Sequence, residues 1–188
     1  MELVDRWLTQ ADFLLTDIEV PFHFVVGNPP YLRQELIPPA LLAVYRSRFG
    51  TLFDRADLYV PFIEHSLQHL APAGVLGFIC ADRWMKNRYG RPLRALIARD
   101  FHLRIHVDMT DTPAFHSDVT AYPAISILAR EHAGTTRLAV RPSIEPAFLR
   151  GLADGLLSQA SPAIGSGIRE MRGVVLGEAP WLLEGEDR

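Results

Sequence analysis

The chain has a single cysteine, Cys80, and no apolar run long enough to cross a membrane. One cysteine cannot form an internal disulfide, so a buried core thiol and a reducing, cytoplasmic compartment are expected. A membrane-spanning helix needs about 18 or more consecutive apolar residues, so no membrane anchor is expected. The first residues lack a basic segment followed by an apolar stretch, so we expect no signal peptide.

The sequence also lacks an excess of positive charge. Its 19 Lys and Arg residues against 22 Asp and Glu give a net charge of −3, so no overall basic field indicates nucleic-acid binding. Any contact with a polyanion must come from a local patch or from a region outside this sequence. Apolar residues make up 48% and charged residues 22% of the 188 residues, which is the balance of a globular protein with a sizeable core.

Apolar runs alternate with stretches of helical spacing in the first two thirds of the chain. Strands are predicted at 22–27, 75–81, 103–107 and 124–129, the first of them buried, and helices at 39–49, 57–70 and 91–99. Asp57 is a plausible N-cap for the second helix, and residues 71–74 end it and turn the chain. This order predicts an α/β sheet, mostly parallel, with flanking helices and with ligands beyond the carboxyl ends of its strands.

The pattern weakens after Arg130, where Gly, Pro and Ser recur without clear periodicity. We therefore divide the chain into an α/β part over residues 1–130 and an irregular tail over 131–188, where a further region could begin. Asp108, Asp111 and Asp118 have no partner pattern of their own and are interpreted as turn residues.

The segment Asn28-Pro29-Pro30-Tyr31 directly follows the first predicted strand. The Asn28 side-chain oxygen and the Pro29 carbonyl are two acceptors, and consecutive prolines fix φ and hold that carbonyl rigidly. Two such acceptors can turn the delocalised lone pair of adenine N6 toward a methyl donor. In duplex DNA this nitrogen is unreachable for in-line transfer, so the base must be flipped out, and Tyr31 is placed to stack on it.

Residues 24–31 resemble motif IV of the gamma-class amino-methyltransferases that act on DNA adenine, especially those of restriction-modification and phage-defence systems. Further segments match in the right order: Ala11–Leu14 resembles motif III, Asp57–Phe62 the motif V helix, Leu70–Leu76 its L-x-P-G-G turn with Ala73 replacing the first glycine, Ala81–Trp84 motif VI, and Phe115 with the strand after it motif VIII. The resemblance covers about residues 10 to 130.

The resemblance implies a Rossmann-like fold and methyl transfer from S-adenosyl-L-methionine to adenine N6 at specific DNA sites. The implied roles are catalytic for Asn28, Pro29 and Tyr31, base stacking for Tyr31 and Phe115 (with Tyr122 as the competitor), and cofactor binding for Asp12, Phe13 and Pro30. Motifs I, II and X of the family are not found, and the first Gly-x-Gly is Gly165-Ser166-Gly167. The chain is therefore interpreted as part of a larger methyltransferase, and the remainder of that methyltransferase is its expected partner. Alone, the chain is expected not to turn over.

Basic residues follow both the Asn28-Pro29-Pro30-Tyr31 segment and the second predicted strand. Contact with DNA phosphates is predicted for Arg33, Lys86, Arg88 and Arg91, and Arg94 belongs to the same cluster; a solvated helix start is the alternative. His65 and His69 have a spacing that a metal site could use, but no third ligand is apparent, so surface histidines are favoured and no metal is predicted.

Two alternative functions stay open at this point. Enzymes that methylate a protein glutamine or a ribosomal RNA base also use Asn-Pro-Pro-Tyr, although the aromatic and basic residues favour DNA. An inactive fragment that acts as a binding module is the second alternative.

Overall fold

The computed structural model describes residues 7–113, 123–173 and 178–181. Its strands are β1 (Phe22–Gly27), β2 (Leu70–Ala81), β3 (His102–Asp108), β4 (Pro123–Ala129), β5 (Thr135–Val140) and β6 (Ile168–Arg172). Its helices are α1 (Pro39–Arg48), α2 (Tyr59–Gln68), α3 (Arg83–Lys86), α4 (Arg91–Asp100) and α5 (Pro146–Leu157), with short 3-10 turns at Gln34–Leu36 and Arg88–Gly90. No helix in these described segments combines the length and the apolar character needed to span a bilayer.

The strands form one sheet in the order β1-β2-β4-β3-β5-β6. β1 pairs with β2 in parallel, and so does β3 with β5. β4 is antiparallel to both of its neighbours, and β6 is antiparallel to β5. The predicted α/β class is confirmed, although the sheet is mixed because β4 returns between β2 and β3. The four strands that share a direction (β1, β2, β3 and β5) end at one edge, which we call the carboxyl edge.

The predicted irregular tail is wrong for residues 135–172, which form β5, α5 and β6. The helix was missed because Gly151 and Gly155 interrupt its pattern. Gly155 has a packing reason, since a Cβ there would lie 2.6 Å from Cδ1 of Ile168 on the adjoining strand. β5 was missed because Thr135, Thr136 and Arg137 make its first half polar, yet it extends the same sheet that the first 130 residues begin.

Two apolar clusters hold the sheet and its helices together. The larger packs α1, α2 and α4 against the central strands, with Leu67, Leu76 and Leu103 fully buried. The smaller joins α5 to β3, β5 and β6 through Leu152 and Ile168. Each cluster buries the apolar stripe of its helices, which is the main source of helix stability in a domain.

Most of the first strand lies outside this core, and only its Val25 side chain packs against the larger cluster. Phe24 is 76% and Val26 is 85% exposed, so the prediction of a buried first strand is wrong in this structure. The reason is positional, because β1 is the terminal strand of the sheet in the described residues and has β2 on one side only.

The turn predicted after the second helix is built into the start of β2. The pairing of β2 with β1 shifts register between Phe22 and Phe24. Within this bulge Ala73 has φ 60, a left-handed conformation that costs an L-residue about 1–2 kcal/mol. A Cβ on Gly74 would lie 2.8 Å from the Ala71 oxygen and 2.9 Å from the Phe22 oxygen, so only glycine fits there.

Exchanging alanine and glycine should therefore have opposite effects on the free energy of unfolding at positions 73 and 74. We expect Ala73→Gly to raise the free energy of unfolding by about 0.5–1 kcal/mol, because the relief of backbone strain exceeds the added chain entropy. Gly74→Ala should lower it by about 2 kcal/mol, because two backbone oxygens must move. Urea unfolding measures both variants, and a destabilised Ala73→Gly protein would contradict the strain assigned to Ala73.

Candidate active site

The carboxyl edge gathers polar residues from four strands. Asn28 follows β1, Asp82 follows β2, Asp108 ends β3 and Arg141 follows β5. Parallel strands place the residues that follow them side by side, and ligands of open α/β sheets bind there. The predicted position of Asn28 and Asp82 beyond strand ends is confirmed.

The four residues after β1 differ in their burial. Asn28 and Pro30 are exposed, whereas Pro29 is buried between them. The Asn28 amide is therefore presented to solvent while the backbone that follows it is fixed in the protein. This combination suits an acceptor that must meet a substrate group without rearranging.

Tyr31 forms a half-open aromatic surface beside Asn28. Its side chain is 47% exposed, and its ring centroid lies 6.2 Å from that of Tyr59 at an interplanar angle of 37°. The Tyr59 hydroxyl lies 3.1 Å from the Tyr89 hydroxyl, which holds the supporting ring in place. Burial, with a smaller contribution from Cys80, raises the pKa of Tyr31 to about 12, so its hydroxyl is neutral at physiological pH.

Cys80 lies in β2 close to this surface. It is 2% exposed, as predicted, and burial followed by the nearby Asp82 raises the pKa of its thiol to about 12. A protonated, enclosed thiol is a poor nucleophile, so the thiol has a packing role.

Asp12 and Phe13, the predicted cofactor contacts, lie in a turn that α1 and α2 brace. The Asp12 carboxylate accepts hydrogen bonds from the Leu14 N–H at 2.9 Å and from the Tyr45 hydroxyl at 2.5 Å. Burial and then the hydrogen bond to Asp12 raise the pKa of Tyr45 to about 12, so Tyr45 stays a donor. The Phe13 ring packs on Phe62 with centroids 5.0 Å apart. Asp12 itself is exposed and keeps acceptor capacity for a ligand.

His65 is not the surface histidine that the sequence predicts. It is 1% exposed, and its ring meets Phe13 edge-on at 4.8 Å and Phe49 at 5.4 Å. The reason is that this face of α2 points into the larger apolar cluster. Burial, followed by the nearby His69, lowers the pKa of His65 to about 4. No cluster of three potential metal ligands occurs in the segments that the structure describes.

Comparison with known proteins shows the family. The model of the family described as Eco57I restriction-modification methylase matches residues 3–115. This chain belongs to that family. It is 61% identical over 186 residues to the Type II methyltransferase M.PaeR7I of Pseudomonas aeruginosa, covering 99% of this chain and 32% of the relative. It is 52% identical to the Type II methyltransferase M.XhoI of Xanthomonas vasicola, covering 97% of this chain and 34% of the relative.

The chain thus spans about a third of the length of these curated relatives. Solved structures show the same fold. A chain of a type I restriction-modification system superposes with a TM-score of 0.69 at 14% identity, over 91% of this chain and 39% of that one. The type I restriction-modification methyltransferase subunit of Streptococcus thermophilus gives a TM-score of 0.57 at 15% identity, over 80% and 36%. The predicted Rossmann-like methyltransferase fold is confirmed.

The basic cluster after β2 divides into two kinds of residue. Arg94 is 2% exposed and donates to the backbone oxygens of Trp84 at 2.6 Å, Asn87 at 2.8 Å and Glu178 at 2.8 Å. Burial and the neighbouring Arg91 lower its pKa. Arg94 therefore clamps α3 and the following 3-10 turn onto residues 178–181 and has no face for DNA.

The residues predicted to contact DNA phosphates, by contrast, are all exposed: Arg33, Lys86, Arg88 and Arg91. Arg91 forms an ion pair with Glu178. Arg33 lies near Asp57, where it partly offsets the rise that burial causes in the pKa of that carboxyl. Asp57 lies two residues before α2, whose N-cap is Leu58, so the predicted N-cap is wrong by one residue. Contact with DNA stays a prediction for the four cations, and Phe115 and Tyr122 lie outside the described residues.

Sequence reasoning missed Arg141, which lies at the carboxyl edge of the sheet directly after β5. It follows β5 in the part predicted to be irregular, and the short run Thr135–Val140 was the signal for that strand. The predicted turn roles are confirmed for Asp108, whose Oδ1 accepts from the Thr110 N–H at 2.8 Å, and for Asp111, which has φ 57. Asp118 lies outside the described residues.

His65 should make stability depend on pH. Its pKa is lowered from 6.5 to about 4, so between these values the unfolded chain binds a proton that the folded chain does not. Its contribution is complete above pH 6.5 and is lost as the pH falls toward 4, with a slope of up to about 1.4 kcal/mol per pH unit. Urea unfolding at several pH values should show this slope reduced in His65→Phe and retained in the exposed-residue control His132→Gln. An unchanged slope in His65→Phe would contradict the assignment.

Arg94 and Arg91 offer a matched pair of substitutions. Arg94→Met should lower the free energy of unfolding by about 3–5 kcal/mol, because three carbonyl oxygens lose a charged donor in a buried place. Arg91→Met should cost less than about 1 kcal/mol, because an exposed ion pair contributes little. Equal effects in urea unfolding would show that Arg94 is not the clamp.

Proposed function

We propose that this chain carries the methyl-acceptor side of a site-specific DNA methyltransferase that transfers a methyl group from S-adenosyl-L-methionine to adenine N6. The observation that carries the proposal is the exposed Asn28 amide at the carboxyl end of β1, followed by the buried Pro29 and flanked by the half-open Tyr31 ring. Membership in a restriction-modification methylase family supports DNA as the substrate.

The chemistry at Asn28 is positioning of the amino group rather than proton abstraction by a strong base. The amino nitrogen of adenine is a weak nucleophile because its lone pair is delocalised into the ring. When the Asn28 Oδ1 and the Pro29 carbonyl accept the two amino hydrogens, the nitrogen becomes more pyramidal and its lone pair points toward the methyl donor. Because the buried Pro29 fixes the backbone that carries both acceptors before the substrate arrives, little reorganisation is needed during transfer.

Tyr31 supplies the surface for the flipped base. About half of its side chain is open, and Tyr59 supports it from the protein side. A neutral aromatic face stacks on a base without competing for its amino hydrogens, and such stacking is worth about 1–3 kcal/mol per base. Phe115 is proposed, on the resemblance alone, as the partner on the opposite face of the base.

The residues proposed for the cofactor fit S-adenosyl-L-methionine. The exposed Asp12 carboxylate, oriented by Tyr45 and Leu14, can accept from the adenine amino group of the cofactor. The half-buried Phe13 can offer an apolar face to the same ring. The exposed Pro30 is proposed, on the resemblance alone, to border the cofactor. When bound, the cofactor supplies an electrophilic methyl group. The chain's own part is to hold the donor and the acceptor nitrogen in line.

The edge of β1 supports a partner within the same enzyme. Among the described residues no strand pairs with this edge, so it presents backbone N–H and C=O groups together with the exposed side chains of Phe24 and Val26, a combination that favours pairing with another strand. We propose that the remainder of the methyltransferase, the part of the curated relatives that this chain does not match, covers this edge and completes the cofactor site. On this proposal the 188-residue chain does not turn over alone.

Substitution of Asn28 in the intact enzyme tests the mechanism. We expect Asn28→Ala to lower the rate of adenine methylation by at least about 100-fold, because one of two fixed acceptors is lost. Affinity for DNA should stay within a few fold, because Asn28 makes no phosphate contact. The measurement is single-turnover methylation of duplex DNA with analysis of the methylated nucleoside. Asn28→Asp, which keeps acceptor oxygens, should retain more of the rate than Asn28→Ala.

Two outcomes would contradict the proposal. If Asn28→Ala kept most of its rate, the amide would not be the acceptor. If the wild-type enzyme methylated ribosomal RNA or a release-factor glutamine and left DNA unmodified, the substrate would be wrong.

A further inference from the structure

A polar cavity lies at the carboxyl edge beyond the ends of β2, β3 and β5. Its volume is about 440 Å³, and it is lined by Asp82, Arg83, Lys86, Asn87, Asp108, Thr110 and Arg141. We call it the edge cavity. The acceptor and cofactor roles proposed above do not use it.

The acidic residues of the edge cavity are turned toward the protein. Asp108 is 5% exposed, and its Oδ1 accepts from the Thr110 N–H at 2.8 Å. The Asp82 carboxylate faces Nε2 of the buried His106 at 3.7 Å. These contacts direct the two negative charges to groups inside the protein.

The cations of the edge cavity are on its outer side. Arg83, Lys86 and Arg141 are all exposed, so three positive charges surround the opening above two carboxylates that face inward. A group that approaches from solvent meets the cations first. The arrangement therefore favours an anion at the opening.

Arg141 is held at this opening by its backbone. Its φ is 47, a conformation that costs a non-glycine residue about 1–3 kcal/mol and is found where the surrounding structure imposes it, often at ligand sites. Its backbone N–H donates to the backbone carbonyl oxygen of Asp108 at 2.8 Å, which ties the end of β5 to the end of β3. The backbone of Arg141 is thus fixed even though its side chain extends outward.

The side chain of Arg141 can exchange its partner. Its guanidinium is 56% exposed and lies 3.5 Å from the Asp111 carboxylate, which is 74% exposed. Such an exposed pair is worth about 1 kcal/mol at most. Arg137 shows the opposite case, because it donates to backbone oxygens at 2.8 Å and 2.6 Å as well as to a carboxylate. Arg137 lies within β5 and Arg141 follows it, and of the two only Arg141 is open to an incoming anion.

We propose that the edge cavity binds a phosphodiester group of the target DNA, with Arg141 as its main contact and with Arg83 and Lys86 at the same opening. Neighbouring strands lie about 4.8 Å apart, and four such spacings separate β1 from β5. Arg141 therefore lies about 19 Å from Asn28 across the sheet, which corresponds to about half a turn of duplex DNA. The inference rests on the proposed function, because it requires DNA as the substrate.

A salt titration of DNA binding by the intact enzyme tests this. We expect Arg141→Gln to weaken binding about 3- to 10-fold for specific and non-specific duplexes alike, and to reduce the slope of log K against log salt by about 1. Arg141→Lys should keep the slope because it keeps the charge. The control is Arg172→Gln, an exposed arginine at the far end of β6, paired with Thr135 at the start of β5, which should leave affinity and slope unchanged.

Two further variants separate binding from folding. Arg141→Gly removes the guanidinium and relieves the backbone strain, so we expect an unchanged or higher Tm together with the same loss of slope. Asp111→Asn releases Arg141 from its pair, so DNA affinity should be unchanged or higher. If instead Asp111→Asn weakened binding as Arg141→Gln does, the ion pair would be structural and the proposal would be wrong.

The remaining outcomes also decide the question. An unchanged slope and affinity in Arg141→Gln would overturn the proposal. So would a loss of S-adenosyl-L-methionine affinity in calorimetry, which would assign the cavity to the cofactor. DNA binding does not depend on methyl transfer, so an enzyme with the expected slopes that makes no N6-methyladenine would refute the proposed function alone.

Discussion

The parallel pairing of β1 with β2 is the constraint on which the site depends. It fixes the direction of β1, and therefore brings Asn28 to the edge where β2, β3 and β5 also end. A shift of one residue in this pairing would turn every side chain of β1 to the other face. The bulge at Ala73 and Gly74 sets the register at the start of β2. This strained bulge, which lies more than 40 residues after Asn28 in the sequence, thus determines where the acceptor amide lies.

Much of the fold could be predicted because each local pattern agrees with the final structure. The apolar run of β2 and the helical spacing of α4 need no distant partner to be recognised. β5 and α5 were missed for physical reasons, since the first half of β5 is polar and Gly155 serves the packing of Ile168 rather than the helix. The burial of β1 was wrong because burial is a property of neighbours, and the described residues provide a neighbour on one side only.

The site residues also divide into those that a local pattern reveals and those whose role depends on distant packing. The motif at Asn28 was recognisable because its chemistry depends on consecutive residues. The roles of Arg94 and His65 were not, because a charged or titratable side chain looks alike in sequence whether it faces solvent or the core. The edge cavity was out of reach, since it joins residues from three strands that the sequence separates widely.

The clamp formed by Arg94 has a consequence for how this protein can vary. All three of its acceptors are backbone oxygens, and every residue type carries one. The side chains of Asn87 and Glu178 can therefore change among related enzymes without loosening the segment next to the carboxyl edge. Arg94 and the helix that presents it are what must be kept. A surface fixed through its main chain can thus acquire new side chains, and new contacts, without losing its shape.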